Sequence, residues 1–499
     1  MTDSRQCGIL LHPTSLPSSY GIGDMGKEAY KFVDFLQQSY QTFWQILPLN
    51  PIGYGWSPYQ GLSAFAGNSL LISIDKLAEE GLLVDREIEE AVFPPDRVDF
   101  AAVTHYKEKI LRKAFKRFEE SSASKRDYLS FLEENKFWLD DYSLFMALKE
   151  HFNGLPWNLW ESSIANRNEK AIQDYERLLN DRVRYHKFLQ YTFFKQWRQL
   201  KNYANKKGVK IIGDVPIYVS YDSSDVWKER HLFKLDSSGN PIVIAGVPPD
   251  YFSKTGQLWG NPIYRWDKMK QDNYLWWRNR LEKALEVADF VRIDHFRGFE
   301  AYWEVPAGEK TAVKGRWVKG PGEDFFETVE KHLDRLPLIA EDLGFITEDV
   351  IALRKKFGFP GMKVLQFAFE GGERELLKAL SEEDTVLYTG THDNDTILGW
   401  YKNVALKTPR IMKLIKRYLD TEPEKMSEEE ICVGFIKIAY SSKAKKVIIP
   451  LQDILCLDSS ARMNVPGSSR GNWQWRFNQG CLGKKQIELL KSLVKQYRL

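Results

Sequence analysis

Phe290-Val-Arg-Ile-Asp294, running straight into His295-Phe-Arg-Gly298, is the stretch whose reading decides the fold. Side chains alternate across a strand, so Arg292 and Asp294 share one face and Val291 and Ile293 the other. If the apolar face packs on helices, the charged pair points inward, at the end where the chain leaves the strand. Similar short apolar runs recur on both sides. They are Gly8–His12, Phe43–Leu49, Val209–Val215, Leu338–Glu341, Met362–Phe369, Thr385–Tyr388 and Val447–Ile454, which with the opening stretch make eight. Helix-period stretches lie among them at Ala29–Leu36, Asn273–Leu285, Glu323–Leu333, Thr347–Phe357, Arg374–Leu380, Arg410–Leu419 and Lys485–Tyr497, with Thr347 as N-cap of its helix. Buried strands alternating with helices predict a parallel sheet, and eight units predict a closed (β/α)8 TIM barrel. A single barrel domain over 1–499 is thus expected.

Two insertions interrupt the alternation. Residues 84–206 read as mainly helical, between strands two and three. Ile110, Ala114, Phe115 and Phe118 share one helical face and Trp138, Tyr142, Phe145 and Leu148 another. Glu169–Lys206 reads as one long helix with Leu178, Tyr185, Phe188, Trp197 and Leu200 inward. Residues 220–272, after strand three, are rich in Gly, Pro and aromatics, and long loops at this end of a barrel are usually functional.

Composition narrows the function. With 71 basic against 68 acidic residues the net charge is +3, which gives no electrostatic case for nucleic acid or an anionic membrane. Cys7, Cys432, Cys456 and Cys481 form no CxxC pair, so neither a disulfide framework nor a zinc site is expected, and a reducing cytoplasm is. The N-terminal MTDSRQCGILLHPTSLP has no basic segment leading into an apolar one, so no secretory signal is expected, and no apolar run is long enough to span a bilayer. Gly21-Ile-Gly23-Asp-Met-Gly26 matches GxGxxG. No strand runs directly into it, since Pro13 and Pro17 intervene, so dinucleotide binding is rejected. No cofactor and no metal are expected. Aromatics make up 14% of the chain, with 16 Trp; a large core accounts for most, and stacking on sugars is the sharper reading.

Acids stand at the strand ends: Asp214 in IIGDVPIY, Asp294 in VRIDHFRG, Glu341 in LIAEDLG and Asp393 in LYTGTHDND. Barrel active sites sit at that face. A lone strand-end Asp is usually a cap or turn former, so the case rests on the four together. Glycosidic cleavage needs one carboxyl as acid and one as nucleophile or base, and a third can stabilise the cationic sugar. Arg292 would keep Asp294 ionised, while Glu341, among other carboxylates, would hold its proton. His295 and His392 adjoin acids and read as hydrogen-bonding groups rather than metal ligands.

The strings GILLHPTSLPSSYGIGDMG, FWQILPLNPIGYGWSPYQGLSAFAGN, GDVPIYV, PPDYFSKTGQLWGNPIY, VRIDHFRGF, IAEDLG and YTGTHDNDT resemble the amylomaltases, 4-α-glucanotransferases related to the α-amylases. The resemblance runs from near residue 7 to about residue 476, and is weak over 86–205. It implies an α-amylase-type barrel without the separate C-terminal β-domain of amylases. It implies Asp294 as nucleophile, Glu341 as general acid/base and Asp393 as transition-state stabiliser. Arg292, His392, Asp214, Tyr59, Gln257 and Trp259 match substrate-binding positions, and Tyr251 and Phe252 an aromatic loop over the cleft. The implied reaction moves α-1,4-glucan segments from a malto-oligosaccharide or starch-type donor to the 4-hydroxyl of an acceptor, with retention. Retention predicts the Asp294 and Glu341 carboxyls about 5–5.5 Å apart. Transfer also needs water excluded, a task that falls to the Tyr251–Phe252 loop. An α-glucan hydrolase and a non-catalytic glucan-binding protein are the alternatives.

Overall fold

The computed structural model describes residues 5–121, 125–249, 253–468 and 470–498. Among the described residues, twelve strands form two sheets. In chain order they are β1 (Gln6–Leu10), β2 (Phe43–Gln45), β3 (Lys210–Pro216), β4 (Val243–Val247), β5 (Gln257–Pro262), β6 (Phe290–Asp294), β7 (Ala301–Pro306), β8 (Arg316–Lys319), β9 (Leu338–Ala340), β10 (Gly361–Val364), β11 (Thr385–Tyr388) and β12 (Lys446–Pro450). Eight of them pair in parallel in the order β10-β11-β12-β1-β2-β3-β6-β9. The two ends of that sheet meet, since the Ala340 N–H donates to the Pro360 carbonyl at 2.9 Å beside β10. The result is a (β/α)8 barrel. Gly8 belongs to its tight wall: a Cβ there would fall 2.4 Å from the Phe43 carbonyl oxygen.

All eight barrel strands coincide with the apolar runs, but several are shorter. The sixth run does not continue as strand to Phe369; Leu365–Gly371 turns into helix after Val364, and Leu451–Ile454 does the same after β12. Apolar runs of this length do not distinguish strand from buried helix by pattern alone. Glu169–Lys206 is two helices, Glu169–Leu178 and Asn180–Lys206, separated at Leu179. The break leaves Leu178 67% exposed, while Tyr185, Phe188, Trp197 and Leu200 are buried as expected. Thr347 stands in extended conformation before Glu348–Lys356 but makes no cap bond through its side chain.

Helices Phe100–Glu120, Arg126–Glu134 and Lys136–His151 pack with Asn180–Lys206 through interlocked rings, among them Phe115–Phe188 at 5.6 Å and Phe131–Phe194 at 5.8 Å. Trp44, Trp157, Trp197, Trp227 and Trp277 are fully buried, so the core reading of the aromatics covers much of the tryptophan. The 220–272 stretch is not self-contained. Its strands β4 and β5 join β7 and β8, which follow β6, in an antiparallel sheet ordered β5-β4-β7-β8. That sheet rises beside the end of β6 and carries Trp259 to the barrel mouth.

Candidate active site

The site starts in the register of β3 and β6, where Asp214 lies opposite Arg292 and Pro216 opposite Asp294. The alternation read from the sequence holds. Val291 is buried and lines a small cavity together with Ala284 and Val287 of the helix Leu275–Val287, while Arg292 points into the barrel, where its Nε lies 3.3 Å from Met362 Sδ on β10. Arg292 Nη1 donates to both Asp214 oxygens, at 2.9 and 2.7 Å, and Nη2 donates to Asp294 Oδ1 at 2.8 Å. Burial opposes the Arg292 charge, but the two carboxylates outweigh it and hold the guanidinium protonated.

His295 adopts a left-handed conformation (φ 56°), which turns the chain sharply after Asp294. The turned peptide donates its N–H to Glu341 Oε2 at 2.7 Å, and Leu343 N–H donates to Oε1 at 2.9 Å. The backbone adds two bonds between the same segments, Glu341 N–H to the Ile293 carbonyl and Phe296 N–H to the Glu341 carbonyl. Asp294 and Glu341 are thus held on adjacent strand ends. Burial, with the neighbouring Asp294 charge second, pushes the Glu341 carboxyl up to about 7 against the pull of Arg292 and the two N–H donors. The direction matches the sequence expectation, although desolvation is the larger cause. Burial, and secondarily Arg297, lowers His295 to about 3, so its ring is neutral.

The third acid comes from the loop after β11. Asp393 Oδ1 accepts from Asn464 Nδ2 at 2.6 Å and lies 3.4 Å from His392 Nε2; its side chain is 47% exposed. Arg462 donates to the Asp393 carbonyl at 2.6 Å. His392 is buried and stacks on Tyr59, with ring centres 5.0 Å apart and planes at 17°. Tyr59 donates its hydroxyl to Asp214 Oδ2 at 2.6 Å. Burial and the Asp214 charge raise this phenol well above its ordinary range, so it acts as a donor. A continuous set of contacts therefore joins Asp294, Arg292, Asp214, Tyr59, His392 and Asp393.

The Asp214 side chain has no exposed surface, and its oxygens accept from Arg292 and Tyr59. Trp259 meets His295 edge-on, ring centres 4.7 Å apart at 89°, and donates Nε1–H to Gln257 Oε1 at 3.2 Å. Tyr251 and Phe252 lie outside the described residues. Sequence reasoning missed Trp473, Asn464 and Arg462. Trp473 packs 5.9 Å from His392 and 5.7 Å from Tyr59. The string RMNVPGSSRGNWQW follows the last barrel strand, and its Trp and Asn beyond a strand end were the available signal. His12 was also missed; it ends buried, near His392, and desolvation with that neighbour lowers it to about 3. Among the described residues no group of three or more His, Cys, Asp or Glu could hold a metal ion.

Residues 11–481 match the family model described as 4-alpha-glucanotransferase. The chain belongs to the 4-α-glucanotransferase family. It is 48% identical to the 4-alpha-glucanotransferase of Thermus thermophilus over 98% of both chains. It is 43% identical to the chloroplastic/amyloplastic enzyme of Solanum tuberosum, covering 95% of this chain and 82% of that one. Among solved structures, the amylomaltase of Streptococcus agalactiae in complex with acarbose superposes with a TM-score of 0.94 at 41% identity, over 99% of each chain. The amylomaltase of Corynebacterium glutamicum, at 17% identity, shares the fold with a TM-score of 0.79.

Proposed function

We propose that the chain is a retaining 4-α-glucanotransferase in which Asp294 is the nucleophile, Glu341 the general acid/base and Asp393 the stabiliser of the cationic transition state. The observation that carries the assignment is the environment of the first two. Asp294 is ion-paired to Arg292, while Glu341 is raised to about 7. A carboxylate held by a guanidinium and a carboxyl that keeps its proton near neutral pH divide into nucleophile and acid. Glu341 gives its proton to the glycosidic oxygen as that bond breaks, and the Asp294 carboxylate bonds to the sugar C1. The departing glucan leaves as an alcohol. Glu341, now ionised, takes the proton of an acceptor 4-hydroxyl, whose oxygen bonds to C1 and releases Asp294. Arg292 and His392 face the donor sugar, and Tyr59, Gln257 and Trp259 line the glucan path, with Asp214 acting from beneath.

Donors and acceptors on this reading are malto-oligosaccharides and longer α-1,4-glucans, in keeping with a relative solved with acarbose. The Tyr251–Phe252 loop excludes water and seats the acceptor, and the segments 84–206 and 220–272 are insertions on a single catalytic barrel. Work in the cytoplasm fits four free thiols, and among the described residues no helix is long and apolar enough to cross a membrane. Incubation with maltotriose tests the activity. Transfer yields glucose together with a ladder of longer oligomers; hydrolysis yields shorter products alone, and a binding protein yields none.

A further inference from the structure

We propose that Asp453 is a positioning residue for this reaction, clasping both ends of the loop that carries His392 and Asp393; the inference rests on the role given above to Asp393. Thr389, the first residue beyond β11, donates its hydroxyl to Asp453 Oδ2 at 2.5 Å. Ile397, the first residue of the helix Ile397–Trp400, donates its N–H to Asp453 Oδ1 at 2.8 Å. One carboxyl therefore spans the entry and the exit of the loop. Asp453 itself stands on the short helix Leu451–Ile454, directly after β12, the strand paired with β11.

The energetics argue that this carboxyl is there for geometry. Asp453 is 1% exposed, and Thr389 and Ile397 are wholly buried. A carboxylate taken out of water normally has a cation beside it. Here the charged group acting on it among the described residues is Asp395, of the same sign. What the carboxyl supplies is two acceptors for two converging donors. An Asn keeps one acceptor: with its oxygen on the Ile397 N–H, its NH2 makes the Thr389 hydroxyl turn and accept, and the bond from that hydroxyl to a charged acceptor is lost. The loop's inner bonds complete the arrangement. Asn394 Oδ1 accepts from Thr391 N–H and its hydroxyl, and Asn464 and Arg462 hold Asp393 from the outer side. Asp453 is the anchor beneath. Misplacing a reacting group by about 1 Å costs on the order of a hundredfold in rate.

The test is steady-state disproportionation of maltotriose by the full-length protein carrying D453N, T389V or T389S, with thermal melting of each. D453N is expected to lower kcat at least about tenfold while KM moves less than about threefold. T389V should lower kcat about three- to tenfold, and T389S, which restores the hydroxyl, should return it to within about twofold. Folded D453N or T389V with wild-type kcat, a T389S no better than T389V, or a change confined to KM would overturn the proposal. Should D453N fail to fold, the Thr389 pair decides. A wild type without transfer activity overturns the functional reading as well; an active wild type with indifferent variants overturns the positioning role alone.

Discussion

The peptide N–H of His295 donates to Glu341 Oε2 at 2.7 Å, so the residue directly after one proposed catalytic carboxylate holds the other. The left-handed turn at His295 makes this bond geometrically available. It ties the Glu341 carboxyl to the strand end that carries Asp294.

The protonation state of Glu341 yields a pH prediction. Its carboxyl titrates near 7 in the folded chain, well above the ordinary glutamate range, because of burial and the Asp294 charge. Transfer needs it protonated in the first step, so kcat/KM should fall as pH rises through about 7. Stability follows the same sign. A raised carboxyl contributes stability that is present below the unfolded value near 4.5 and is lost as pH rises through the folded value. E341Q should therefore lose at least about a thousandfold in kcat. It should also gain in melting temperature relative to wild type as pH is raised from 4.5 toward 7. A kcat/KM profile flat from pH 5 to 9 would remove Glu341 as the acid.

Asp214 and Asp393 should separate stability from chemistry. Asp214 is wholly enclosed and shares Arg292 with Asp294. Breaking such a buried pair from one side costs about 3–5 kcal/mol. D214A should melt many degrees lower and lose activity along with its fold. Asp393 is about half exposed, so D393N should melt close to wild type yet lose at least about a hundredfold in kcat. Scanning calorimetry beside maltotriose kinetics distinguishes the two behaviours, and equal stability losses would contradict the burial difference.

Barrel strands and strand-end acids were legible in the sequence because both follow a short-range rule. Alternation sets the direction of Arg292 and Asp294, and parallel pairing sets their level. What short-range rules could not supply was the partner of each group. Asp214 reads like the other strand-end acids, and only the three-dimensional closeness of Tyr59 and Arg292 shows that it is sealed beneath the rim. The antiparallel sheet was invisible for a similar reason, since β4 pairs with β7, on the far side of β6 in the sequence. The strand that ends at Val364 rather than Phe369 was lost to the ambiguity of a continuous apolar run.

Trp259 gives a prediction about what attacks the intermediate. Its ring stands edge-on to His295, one residue from Asp294, on a strand of the sheet beside the cleft. Removing it should leave bond cleavage largely intact and weaken acceptor binding. An aromatic contact of about 0.5–1.5 kcal/mol corresponds to roughly a two- to twelvefold change. W259A should shift products from longer oligomers toward hydrolysis by about that factor. An unchanged ratio would place the acceptor elsewhere.

Tyr59 joins the two halves of the site by two different interactions, and they can be removed separately. The ring stacks on His392, which adjoins Asp393; the hydroxyl binds Asp214, which with Asp294 brackets Arg292. Y59F keeps the ring and deletes the hydroxyl. A buried hydrogen bond to a charged group contributes about 1.5–3 kcal/mol to stability, so Y59F should melt lower than wild type, and kcat/KM should fall roughly tenfold as Asp214 and Arg292 lose that support. Y59A removes the stacking face as well and should fall further, because His392 then lacks a partner on that side. Equal losses in Y59F and Y59A would make the hydroxyl the whole contribution, while a wild-type Y59F would make it the ring, and the Asp214 contact would then carry no weight in the chemistry.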